Sequence, residues 1–188
     1  MNKQLALGSI LGAIVLFVWS AIAWMLIPWP GTPLRSFKEE DAVTQAIVAN
    51  APVSGVYLAP NGERSMTPEQ EKKMMDKMAK GPIVFASVRL EPFDSMAKPL
   101  VIQFLTQFIV ALLATFLLTQ TCGLSYKSRV IFVTIIGVII FVGGHVDEWN
   151  WWSFSNAYML MQLGALVIGW FLASLVIAKF VSGKAAAA

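Results

Sequence analysis

Four long apolar runs, at 5–27, 100–121, 130–146 and 154–180, are almost free of charge, and this constrains the chain more than any other feature. A helix needs about 20 apolar residues to cross the roughly 30 Å hydrocarbon core of a bilayer. The first two runs match that length, the fourth is long enough to tilt, and the third is short. Lys179 stands at the end of the fourth run, and His145 at the outer end of the third, with Asp147 and Glu148 just beyond. Only 13% of the residues are charged, against about 25% in an ordinary soluble domain. The expected fold is an α-helical membrane protein. It is a four-transmembrane-helix bundle with a small α/β extracytoplasmic domain, residues 28–98, inserted between its first two helices.

Charge sorting sets the expected orientation. Lys3, Lys127, Arg129, Lys179 and Lys184 flank one side with no acid among them, while all eleven carboxylates fall on the other. Excess Lys and Arg in short flanks marks the cytoplasmic side. The expected location is therefore the bacterial cytoplasmic (inner) membrane, with a multi-pass chain whose N- and C-termini are cytoplasmic. The sequence pI near 9.1 follows from this sorting and does not point to nucleic acid. Met1-Asn2-Lys3, the run after it and Ala21-Ile22-Ala23 imitate a secretory signal. Because the apolar run continues through Ile27, the segment is read as an uncleaved anchor. The lone Cys122 excludes an internal disulfide and is read as a small residue at a cytoplasmic helix end.

Residues 28–98 hold most of the charges and are expected to run helix, strand, helix, strand. Ser36-Phe37-Lys38-Glu39 reads as a capping box opening a helix that ends near Ala49. Val53 to Ala59 and Ile83 to Leu90 read as strands, whose pairing direction is open. Thr67-Pro68-Glu69-Gln70 is a second capping box, and Lys80-Gly81-Pro82 stops its helix. Both faces of the second strand are apolar, so both call for cover. A two-stranded unit of this size is marginal alone. It is expected to lean on the bundle, on a copy of itself or on a partner.

Within the spans, Gly8 and Gly12, then Gln107, Ala111 and Thr115 (with Gln103 a turn earlier), and finally Ala165, Gly169 and Ala173 form stripes of small or polar residues. Such stripes let helix backbones approach closely, either inside the bundle or against another membrane protein. Leu166 is assigned to the lipid side of the fourth run. Trp24, Trp29, Trp149, Trp151 and Trp152 read as interfacial anchors among the membrane lipids, since indole favours the headgroup layer.

Two clusters could carry chemistry. His145, Asp147 and Glu148 offer three metal-ligand types within four residues, and Met74, Met75 and Met78 offer thioethers that suit Cu(I). The plainer readings are a polar cap near the interface and a buried methionine stripe. There is no Walker loop, no glycine-rich dinucleotide turn, no HExxH and no CxxC, so no cofactor is expected. The leading expectation is a non-catalytic accessory or scaffold subunit of a membrane assembly. It would bind another membrane protein or copies of itself through the outer domain and small-residue helix faces. A metal-handling or sensing protein built on His145 is the alternative, and a lipid-active enzyme at the outer interface the third. A fourth ligand at His145 would favour metal, and a headgroup cleft beside His145 the enzyme.

Overall fold

The structure is a computed structural model that describes residues 3–31, 33–62 and 65–182. In chain order the elements are α1 (Lys3–Met25), α2 (Glu40–Asn50), β1 (Gly55–Ala59), α3 (Pro68–Lys80), β2 (Val84–Val88), α4 (Ala97–Thr119), α5 (Tyr126–Trp152) and α6 (Asn156–Phe180). The chain divides into two compact units, Arg35–Asp94 and the remainder.

Four helices, α1, α4, α5 and α6, are long and apolar enough to cross a membrane. They form an up-and-down bundle. Gln4 meets Ser182 at one end of the α1–α6 pair and Trp19 meets Ala165 further along, so those helices run antiparallel. α6 packs against both α1 and α5, and α1 also packs against α4, whereas α4 and α5 barely touch. The ring of helices is therefore open on the α4–α5 side. Its core joins Ala13 and Leu16 of α1, Ala111, Ala114 and Leu118 of α4, Val133 of α5, and Trp170, Ala173 and Ile177 of α6. Lys3, Lys127, Arg129 and Lys179 lie at the same end of these helices. Lys184, like Met1 and Asn2, lies outside the described residues.

The third span corrects the 130–146 boundary. α5 starts at Tyr126, where the Ser125 hydroxyl accepts from the Ser128 N–H, and runs through Gly143 and Gly144 to Trp152. A glycine pair commonly marks a helix end. In apolar surroundings, however, a break leaves peptide groups unpaired at several kcal/mol each, while glycine in a helix costs only about 1 kcal/mol. The helix ends at Ser153 instead, in the left-handed region at φ 58°. At about 1.5 Å per residue, His145 therefore stands roughly 10 Å inside the end of α5.

In the unit Arg35–Asp94, β1 and β2 pair antiparallel, with Tyr57 opposite Ala86 and Leu58 opposite Phe85. Thr67 caps α3 with a complete reciprocal box: its hydroxyl accepts from the Gln70 N–H while the Gln70 side chain accepts from the Thr67 N–H. Gly81 closes that helix at φ +64°, a conformation that suits glycine. The box at Ser36 does not form. α2 begins at Glu40 with no side-chain cap. Phe37 is 65% exposed, so no burial rewards winding its turn into the helix.

Candidate functional site

The small-residue stripes are consumed inside the bundle. A Cβ on Gly8 would fall 2.6 Å from Val181 and 2.8 Å from Thr115, and one on Gly12 would fall 2.8 Å from Ile177 and 3.4 Å from Ala111. Ala111, Thr115 and Ala173 are fully buried, and the Thr115 hydroxyl has no hydrogen-bond partner among the described residues. Gly169 seats the indole of Trp19, whose N–H donates 2.7 Å to the carbonyl of Ala165. A further close approach, Gly137 of α5 against Trp170, went unnoticed in the sequence. Leu166 does not face lipid alone: it packs against the core.

Among these contacts the four helices line a partly open cavity of about 180 Å³, with Ala165 and Gly169 in its wall. α1 supplies Trp19, Ser20 and Trp24, α4 supplies Gln103 and Gln107, α5 supplies His145, and α6 supplies Gln162 and Trp170. The Nδ1 of His145 pairs with a Glu148 carboxylate oxygen at 2.8 Å, one helical turn on. That geometry fits an Nδ1–H donor and an ion pair when the ring is protonated. The side-chain nitrogen of Gln162 stands 3.5 Å from the same Nδ1, at the limit of a hydrogen bond. Phe141 lies tilted beside the imidazole, 6.0 Å between centroids.

The grouping of His145 with Asp147 and Glu148 divides. Glu148 lies three residues on and shares the histidine's face, while Asp147, two residues on, is exposed on another. Among the described residues, no three His, Cys, Asp or Glu side chains converge as a metal site would need. What the chain order could not reveal is the company His145 keeps: Gln162, Gln107 and Trp19 come from three other helices. Gln107 had been placed on a polar stripe, but only the helix arrangement brings it to His145.

Beside this cavity runs an apolar cleft of about 440 Å³ between α5 and α6, lined by Phe141, Val146, Trp149, Asn156, Met159 and Leu160. Its lining is apolar apart from the Trp149 indole N–H and the Asn156 amide, which suits a hydrocarbon chain. The tryptophans differ in role. Trp24, Trp149, Trp151 and Trp152 are exposed, Trp149 donating to the side-chain oxygen of Asn156 at 2.8 Å. Trp29 folds inward instead, its N–H donating to the Ala23 carbonyl and its ring lying on Gly164 of α6.

In the other unit the methionines do not form a buried stripe. Met75 is 60% exposed, and Met74 and Met78 are half-buried. The sulfurs of Met74 and Met66 instead flank Gly62, beside a pocket of about 330 Å³ that Lys73 and Lys77 also line. Two lysine ammonium groups at that pocket make it a poor place for a cation. Ser54 ties the sheet to the following loop: its hydroxyl accepts from the Leu90 N–H and donates 2.6 Å to a Glu91 carboxylate oxygen. That bond from Ser54, with help from Glu91's own backbone N–H and the charge of Arg89, holds the Glu91 carboxyl below its ordinary range.

No protein-family model matches this chain, and neither the curated proteins nor the solved structures contain a match to it.

Proposed function

We propose that this chain is a non-catalytic accessory or scaffold subunit of a bacterial cytoplasmic-membrane assembly. Both of its ends would be cytoplasmic, and residues 35–94 would lie outside as a docking module. One observation carries the reading: the unit Arg35–Asp94 leaves its apolar surface uncovered. Neither helix and neither strand of that unit has a buried residue among those described, and Ala51, just past α2, is its one buried hydrophobic. Val48 of α2 is 63% exposed and Val56 of β1 67% exposed, with Ile83, Val84 and Phe85 also open. Two strands alone are marginal in water, and three or more with a covered face are needed for independent stability.

The occupant that best completes such a unit is a second copy of the chain. Each strand of a two-stranded sheet offers a free edge, and a two-fold pairing of equivalent edges makes four strands from two. Self-pairing also brings identical apolar faces together. The basic flank at one end of the bundle supports the orientation, because Lys and Arg are retained on the cytoplasmic side.

The test is the protein mass of the detergent-extracted chain by light scattering with the detergent contribution subtracted. Twice the 20.6 kDa of one chain is expected, falling to one chain in Val56→Asp. A single-chain mass for the wild type, with no protein co-migrating from native membranes, would overturn the subunit reading. A different protein at fixed stoichiometry would keep that reading and replace the second copy as occupant.

A further inference from the structure

We infer that the partly open cavity lined by α1, α4, α5 and α6 binds the ring of a neutral, membrane-soluble quinone. This goes beyond the docking role and rests on residues of the other unit.

The cavity holds spare hydrogen-bonding capacity in an apolar setting. Gln103 and Gln107 stand one turn apart on α4 and both line the cavity, yet neither amide has a hydrogen-bond partner among the described residues. An amide without a partner in hydrocarbon costs several kcal/mol. Gln162 adds a third amide whose one contact is the 3.5 Å approach to His145. Both polar contacts of the His145 ring among the described residues use Nδ1, which leaves Nε2 for a ligand. With Nδ1–H donated to Glu148, a neutral imidazole offers Nε2 as an acceptor.

The set of groups selects the ligand. Three amides donate to carbonyl oxygens, and both the amides and Nε2 accept from hydroxyls, so a quinone and its quinol each find partners. The indoles of Trp19 and Trp170 supply flat apolar walls for a planar ring. His145 is the one ionisable side chain at the cavity, which argues against an anion or a metal ion as occupant. At about 180 Å³ the space is below the roughly 300–1,000 Å³ of sites for drug-sized ligands and suits a single ring. The slight contact between α4 and α5 leaves a lateral way in from the acyl chains, so a ligand dissolved in the bilayer has access.

The test uses the full-length protein in quinone-free phosphatidylcholine nanodiscs, titrated with decyl-substituted benzoquinone while tryptophan emission is followed. The expected result is saturable quenching at one quinone per chain. Half-saturation should rise at least tenfold in Gln107→Leu and in Gln103→Leu. The second variant alters an exposed position and keeps the test valid if the first fails to fold. Decylbenzene, which has the chain but no carbonyls, should not compete. Quenching that rises linearly without saturating, saturation unchanged in both variants, or equal competition by decylbenzene would each overturn the proposal.

Discussion

The indole of Trp19 rests on Gly169 and donates its N–H to the carbonyl of Ala165, locking α1 to α6 at the wall of the polar cavity. A Cβ at Gly169 would meet the indole at 2.6 Å, so this glycine is set by close approach and not by backbone conformation. The contact also fixes where Trp19 can present its ring to the cavity.

Gly169→Leu should therefore destabilise the bundle strongly. Overpacking a tight contact costs about 1–3 kcal/mol, and here the interhelical N–H bond, worth about 0.6 kcal/mol on average, is lost as well. Ile168→Ala, at an exposed neighbouring position, should cost far less. Thermal unfolding in one detergent compares the two; equal melting temperatures would mean that α1 does not sit on this face.

Two look-alike capping boxes offer a cleaner contrast. Thr67→Ala removes a formed box and should cost about 1 kcal/mol, fraying the first turn of α3. Ser36→Ala should leave α2 unchanged, because that helix starts later without a side-chain cap. Hydrogen exchange at the Gln70 and Val43 amides reads both effects. Faster exchange at Val43 in Ser36→Ala would restore the earlier helix start.

That pair also shows what local sequence can and cannot convey. Ser36-Phe37-Lys38-Glu39 and Thr67-Pro68-Glu69-Gln70 satisfy the same pattern, but proline at the first helical position preorganises only the second. The four membrane-length helices were legible because each carries its own signal of length and apolarity. The course of α5 through Gly143-Gly144 was not, since local propensity is overridden where an apolar medium penalises any unpaired peptide group. The cavity was legible only in pieces. Gln103 and Gln107 stood out as a stripe and His145 as an oddity, but their meeting depends on α6 lying between α1 and α5. No single segment encodes that order. Trp19 carried no signal, because a tryptophan in an apolar run reads the same whether it meets lipid or glycine.

Ser54→Ala should raise the Glu91 pKa towards its ordinary value, since the Ser54 hydroxyl is the leading cause of its depression. A carboxyl whose folded pKa is depressed contributes stability above its unfolded pKa and loses it as pH falls through the folded value. In the wild type the tie between Ser54 and Glu91 should thus be lost only in acid, whereas in the variant Glu91 should titrate at a higher pH and add no pH-dependent stability. Carboxyl chemical shifts followed through an acid titration measure this. Identical curves for the two proteins would remove the Ser54 bond from the account.

Because Asp147 and Glu148 occupy different faces of α5, His145 has one carboxylate partner and no metal set around it among the described residues. Chelator treatment of the purified protein should leave its melting temperature unchanged. A bound metal at a hundred times its dissociation constant would add about 2.7 kcal/mol. A drop of several degrees that disappears in His145→Ala would put the metal-handling reading ahead of the subunit reading.

Labelling of single cysteines decides whether residues 35–94 lie outside the membrane, where the proposed docking role needs them. In a Cys122→Ala background, Lys72→Cys on α3 and Lys127→Cys at the start of α5 are exposed in intact cells to a thiol reagent that cannot cross the membrane. The account predicts labelling at residue 72 at once and at residue 127 only after the cells are broken. Labelling of 127 alone in intact cells would invert the protein and remove the docking module from the outer face.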